Sequence, residues 1–183
     1  MKKLIIFHLK KFEEKNLLKY YILVLVDSMD YNILLQELKE KHFPELRRYK
    51  IKIKPWRILK KVFMITLPFS KTIYYNKTAM KKCNEKALKA VLIHELYHRI
   101  QFRRLNILQK IIFIPRYHIF QNYRIKHELE AHTEVVLRGY GEELIELNKF
   151  VISRYPKKIW DEKLSNYYLT EEKILEIMKK LKN

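Results

Sequence analysis

The stretch His94-Glu95-Leu96-Tyr97-His98 reads H-E-x-x-H and lies within a long helical pattern. Residues four apart on an α-helix differ by only about 40° in direction, so both imidazoles leave the same face. Two neutral imidazoles at this spacing can occupy two corners of a tetrahedral Zn²⁺ site. Glu95 points to the adjacent face, where its carboxylate can take a proton from a metal-bound water. The alternative is a helix with two ordinary half-buried histidines.

Around this stretch, the spacing of apolar residues predicts short strands followed by helices. Strands are predicted for residues 4–12, 18–26, 49–54, 62–67 and 72–75. Helices are predicted for residues 29–42, for a long segment from Thr78 through the motif to Phe102, and for 117–138, 142–154 and 170–182. Pro115 is expected to break the chain between two of these helices, and residues 159–169 are expected to be irregular or extended.

Composition limits the class of protein. The 183 residues include only 2 Gly, which suits helices with short connections and argues against a sandwich or barrel with many tight turns. Cys83 is the single cysteine, so no intrachain disulfide can form, and we expect a reducing, cytoplasmic location. The formal net charge of +19 suggests weak electrostatic binding to nucleic acid or to an anionic membrane surface. No run of 18 apolar residues occurs, so no transmembrane helix is predicted.

Two histidines do not hold catalytic zinc, and a third protein ligand is required. The glycine and third histidine that metzincins carry downstream of this motif are absent here, so that class is excluded. The remaining choice is between a distant Glu and a distant His. The candidates downstream of the motif are His118, His127, Glu128, Glu130, His132 and Glu134.

The segment Glu128-Leu129-Glu130-Ala131-His132-Thr133-Glu134, together with His94-Glu95-x-x-His98-x-x-Gln101, resembles the gluzincin metallopeptidases. The closest resemblance is to the small minigluzincin proteins, and it covers roughly residues 60–140. The ImmA/IrrE-like metalloproteases share an E-x-E-A segment, but their Phe-Ala continuation is missing here. The resemblance implies that Glu130, followed by a small residue, is the third zinc ligand. It also implies that Glu134 does not bind the metal itself but accepts a hydrogen bond from one of the histidines that do.

The resemblance further implies a zincin-like α+β fold. A small, mostly antiparallel sheet would pack on the motif helix, and a second helix would bring the glutamate. The whole chain would form one domain, with a core at about 60–140, an N-terminal β/α extension at 1–59 and a C-terminal helical extension at 142–183. An edge strand made of Thr72, Ile73, Tyr74 and Tyr75 would form the rim of the cleft and pair with an extended peptide substrate.

Helix geometry bears on the third ligand as well. Glu128 and Glu130 lie about 200° apart around a helix, so they cannot face the same ion. His127 and Glu134 share the face of Glu130, which favours Glu130 because both neighbours then lie beside the metal. Tyr123 and His127 are candidate donors to the oxyanion, as are Tyr117 and His118 near the start of the helix.

The expected activity is zinc-dependent hydrolysis of peptide bonds, with Glu95 as the general base on the zinc-bound water. A latent form, in which the basic segment from Lys157 onward covers the cleft, is a variant of this hypothesis. The alternative is a basic protein associated with nucleic acid. It would be either a non-catalytic binding module or a DNA-linked protease of the SprT type, in which His118, His127 or His132 replaces Glu130.

Overall fold

The structure is a computed structural model that describes residues 31–57, 62–154, 157–159, 161 and 165–182. The described chain is α+β and mostly helical, with one small sheet. The sheet, the motif and every candidate site residue belong to one compact unit, Asn32–Asn183. The strands expected at residues 4–12 and 18–26 lie outside the described residues.

Three short strands form a mixed sheet in the order β1-β3-β2. They are β1 (Lys52–Pro55), β2 (Met64–Thr66) and β3 (Thr72–Tyr75). β1 pairs with β3 in parallel and β2 pairs with β3 antiparallel, so the sheet is mixed rather than mostly antiparallel. β3 has a partner on both sides, and the expectation that Thr72–Tyr75 is an edge strand is therefore wrong.

The motif lies on α3 (Glu85–Arg104), a helix of 20 residues. It is preceded by a short helix, α2 (Lys77–Met80), and the two are separated by a turn rather than joined in one helix from Thr78. Asn84 caps α3, since its side chain accepts a hydrogen bond from the Ala87 N–H at 2.8 Å. Cys83 precedes this cap and is half-buried, and burial raises the pKa of its thiol to about 12.

Two helices follow the motif helix. Helix α4 (Ile107–Ile119) begins at a capping box formed by Asn106 and Gln109, and it continues through Pro115 instead of ending there. Helix α5 (Gln121–Leu137) carries the segment with the acidic candidates. Two residues after the helix, the chain turns at Gly139, whose φ of +87° is a conformation that other residues rarely adopt.

The remaining helices are α1 (Tyr31–His42), α6 (Gly141–Ile152), α7 (Lys157–Ile159) and α8 (Glu171–Lys180), with 3₁₀ turns at Pro44–Leu46 and Ser165–Tyr167. Helix α6 packs against α3 and α5, and α8 packs against α5 and α6. Thr170 caps α8 as the sequence predicted. The core lies between α3, α5, α6 and β2, and α3 is buried almost continuously from Ala87 to Phe102.

Within the described ranges, none of the helices has the length and apolar character that a membrane span requires.

Candidate metal and catalytic site

The two motif histidines converge on one point. Their Nε2 atoms are 2.9 Å apart, and each residue is 7% exposed. Two nitrogens bound to one tetrahedral zinc, each at 2.0–2.1 Å, would lie about 3.3 Å apart. The imidazoles of His94 and His98 are thus within a few tenths of an ångström of the separation that a shared zinc ion requires.

A carboxylate from α5 completes this group, and it belongs to Glu128. Its Oε2 lies 3.2 Å from His94 Nε2, and its Oε1 lies 3.7 Å from His98 Nε2. The Glu128 side chain is 17% exposed. His94, His98 and Glu128 therefore supply two nitrogens and one carboxylate, the donor set of a catalytic zinc site with one position left open.

Glu130, the expected third ligand, lies elsewhere. Its Oε1 accepts hydrogen bonds from the Tyr97 hydroxyl at 2.7 Å and from Arg104 at 3.1 Å, and its side chain is 42% exposed. Since Glu128 and Glu130 leave α5 in nearly opposite directions, only one can reach the histidines, and in the fold that one is Glu128. The placement of Glu130 as a ligand is corrected accordingly.

Gln101 connects the displaced Glu130 to the site. The Gln101 side-chain oxygen lies 2.7 Å from His98 Nδ1, and its amide nitrogen donates to the His127 carbonyl at 3.0 Å and to Glu130 Oε2 at 3.1 Å. Because two acceptors fix the amide nitrogen, the oxygen must face His98. His98 Nδ1 therefore carries the hydrogen, and Nε2 is left with the lone pair that a metal needs. The sequence contained Gln101 but gave no sign of this role.

Glu95 is buried beside the histidines. It is 5% exposed, and its Oε2 accepts no hydrogen bond within the described parts of the chain. Ligand atoms of His94, Glu95 and His98 all lie within 4.8 Å of one another. A buried carboxylate oxygen without a partner is unusual, since buried polar atoms normally have at least one, and it is available to a water in the site.

Charge interactions set the protonation of this cluster. Burial by itself lowers the pKa of His98, but the charges of Glu128 and Glu95 outweigh it and raise that pKa to about 9. Burial acts to raise the pKa of Glu128, yet the two histidines hold it well below its usual range. Glu128 is therefore ionised at neutral pH, and His98 holds a proton when no other cation is bound.

Glu134, which was expected to hydrogen-bond a ligand histidine, also lies elsewhere. Glu134 forms an ion pair with Arg138 at 2.8 Å, not with either motif histidine. His132 instead lies next to His94, with ring centroids 4.8 Å apart, and it is 2% exposed. Burial holds the pKa of His132 well below its usual range, so this ring is neutral.

The candidate oxyanion donors fall into two groups. Tyr117, His118 and His127 line the cavity at the site, whereas Tyr123 does not. The ring of Tyr123 instead lies against Arg116, whose Cζ is 4.4 Å from the ring centroid. The Tyr117 hydroxyl donates to Glu128 Oε1 at 2.5 Å. The ring of His127 stacks on that of His98, and burial, followed by repulsion from His98, lowers the pKa of His127 to about 4.

The cavity has a volume of about 410 Å³ and a mainly apolar lining. The segment 62–68, which contains β2, forms one part of its wall, and α4 forms another. β2 is tied to the motif helix, since the Thr66 hydroxyl donates to the Glu95 carbonyl at 3.4 Å. Arg99 holds the turn after β2, because its guanidinium donates to the carbonyls of Leu67 and Thr72, each at 3.1 Å. The strand beside the site is therefore β2, not β3.

Comparison of the chain with protein-family models, with curated proteins and with solved structures finds no match.

Proposed function

We propose that the protein is a zinc-dependent metallopeptidase whose ligands are His94, His98 and Glu128. The observation that carries the proposal is the convergence of these three side chains on one buried point, beside the Glu95 carboxylate, whose Oε2 has no partner among the described residues. Zn²⁺ held there supplies Lewis-acid chemistry, polarising a carbonyl and lowering the pKa of water. The pairing of two imidazoles with one carboxylate favours zinc over the harder cations, which prefer oxygen ligands.

Glu95 is the proposed general base. One of its oxygens lies in the group of possible ligand atoms, and its Oε2 accepts no hydrogen bond from the described residues, so the carboxylate can take the proton of the attacking water and pass it to the leaving amine. Arg99, buried one turn later on α3, brings a positive charge that interacts with this carboxylate.

Tyr117 is the favoured donor to the oxyanion. Its hydroxyl already lies at the site, where it donates to Glu128. Burial, followed by the charge of Glu128, raises the pKa of this hydroxyl, so Tyr117 stays protonated and able to donate at any pH at which the protein works. His127, neutral and stacked on His98, is the second candidate.

The substrate that fits is an extended peptide lying along β2. One edge of β2 pairs with β3, and the strand forms part of the cavity wall that faces the site. An extended peptide can add to the other edge by backbone hydrogen bonds, which fix its position without requiring a particular side-chain sequence. The apolar cavity lining favours an apolar side chain next to the scissile bond.

The test combines metal analysis with hydrolysis of a casein or peptide-library substrate. Protein purified without chelator is expected to contain one zinc per chain and to cleave. Glu95→Gln should retain zinc and lose cleavage, because the carboxylate acts as a base rather than as a ligand. Glu142→Gln, an exposed glutamate on α6, is the matched control and should behave like the parent. A zinc content near zero that added zinc does not raise would refute the proposal, as would full activity of Glu95→Gln.

A further inference from the structure

Helix α4 exposes an apolar surface that the described part of the chain does not cover. Only Phe113 of this helix is buried, while Lys110 and Tyr117, on the same face, are half-buried against the rest of the protein. With about 100° per residue, the opposite face carries a continuous stripe. The stripe consists of Leu108, Ile111, Ile112, Pro115 and Ile119, and we call it the α4 stripe.

The exposure of the α4 stripe is large for an ordinary protein surface. Leu108 is 67% exposed, Ile111 57%, Ile112 43% and Ile119 71%. Ile107 and Phe120, at the two ends of the helix, are 73% and 59% exposed and extend the apolar area. Single exposed apolar residues need no explanation, but a contiguous row along one helix indicates an interaction surface.

Along the sequence, the charge on either side of the stripe is of one sign. Between Leu105 and His127 the sequence contains Lys110, Arg116, Arg124 and Lys126 and neither Asp nor Glu. Arg116 and Lys126 are exposed. An apolar helix face flanked by cations is the pattern of a helix that lies in the interface of an anionic bilayer. A second copy of the chain fits less well, because it would bring the same cations against one another.

We propose that the α4 stripe docks the protein on an anionic lipid bilayer, with α4 parallel to the membrane plane. The apolar stripe enters the boundary between head groups and acyl chains, while the flanking cations meet the lipid phosphates. Docking does not depend on the proposed peptidase activity. Because α4 also lines the cavity through Ile114, Tyr117 and His118, docking would bring the proposed site close to the membrane surface. The substrates would then be chain segments at that surface.

The test is flotation of the full chain with vesicles of phosphatidylcholine alone and of phosphatidylcholine mixed with phosphatidylglycerol. The parent should bind the mixed vesicles and bind phosphatidylcholine much more weakly. Ile111→Gln with Ile112→Gln should lower binding by at least about 30-fold, since each side chain leaves an apolar environment. Glutamine favours helix at least as well as isoleucine, so the fold is retained.

The matched control is Ile33→Gln with Leu175→Gln, two residues exposed to 60% and 50% on other helices. It should bind the vesicles as the parent does. Equal binding by the α4 variant and the parent would overturn the proposal and assign vesicle binding to the general surplus of cations. A parent that does not bind vesicles, or that dimerises through this face, would also overturn it. The proposal would also be overturned if the parent bound duplex DNA instead of vesicles and the α4 variant weakened that DNA binding.

Discussion

The third ligand is the sharpest test of the site, because two glutamates two residues apart on α5 occupy different environments. Glu128 lies 3.2 Å from His94 Nε2, whereas Glu130 contacts Tyr97, Gln101 and Arg104. The same substitution, Glu to Gln, can be made at both positions. It removes one negative charge in each case and keeps the size of the side chain, so the two variants control for one another.

The expected magnitudes differ widely. Structural zinc sites with four ligands have apparent binding free energies of about 10–16 kcal/mol, or about 2.5–4 kcal/mol per ligand. Replacing the Glu128 carboxylate by a neutral amide should therefore weaken zinc binding about 100- to 1000-fold. Glu130 acts only through Gln101, one hydrogen bond further from His98. Residues that hydrogen-bond directly to a ligand typically contribute 10- to 100-fold, so Glu130→Gln should weaken binding by less than about 10-fold.

The assay is competition with a chromogenic chelator, with thermal melting of the metal-free proteins to establish that both variants fold. The reasoning is refuted if Glu130→Gln loses zinc while Glu128→Gln binds it as tightly as the parent. A loss of zinc in both variants by the same factor would also contradict it, because the structure gives the two carboxylates unequal access to the histidines.

The proton on His98, the amide of Gln101 and the burial of Ile174 can each be tested as well. Zinc must displace the proton on His98, whose pKa is about 9, so the apparent zinc affinity should fall about tenfold for each pH unit below 9. Titration calorimetry from pH 7 to 9 measures this dependence, and a zinc affinity that does not change with pH would contradict it. Gln101→Leu should free the His98 ring and weaken zinc binding 10- to 100-fold by chelator competition, while Gln121→Leu, an exposed control, should not. Ile174→Ala should cost about 2–4 kcal/mol of unfolding free energy in a denaturant titration, because Ile174 is fully buried; a cost below about 1 kcal/mol would mean that α8 does not pack as described.

Much of the fold could be predicted because it depends on local patterns. The bounds of β3, the start of α8 at Thr170 and the helical character of the motif follow from alternation, capping and periodicity. The break before α3 was missed because it involves neither Gly nor Pro: Asn84 ends the turn and caps the helix, which only the backbone conformation reveals. Pro115 was expected to break the chain, yet α4 contains it.

What could not be predicted depends on how elements pack. Sequence geometry showed that Glu128 and Glu130 cannot face the same ion, but the choice between them depends on the rotation of α5 against α3. The resemblance implied that the strand Thr72–Tyr75 lies at an edge. Its second partner β1, about 20 residues earlier, pairs with it in parallel, and no local pattern reports such a contact. Both errors concern long-range contacts. Each changes which residues lie at the site, but not which helices and strands are present in the fold.

The burial of α3 explains why its few unpartnered polar atoms identify the site. A helix surrounded by other elements must satisfy every polar side chain it carries, since a buried polar group without a partner costs about 1–3 kcal/mol. Gln101 meets this requirement through His98, the His127 carbonyl and Glu130, and Arg99 meets it with its two terminal nitrogens, although its Nε has no partner among the described residues. On the same helix, His94 Nδ1 and Glu95 Oε2 find no partner among the described residues, although each is as deeply buried. Stability alone would favour apolar residues at these two positions. The cost is offset if water and a cation occupy the cavity beside them, which is the condition the proposed reaction requires.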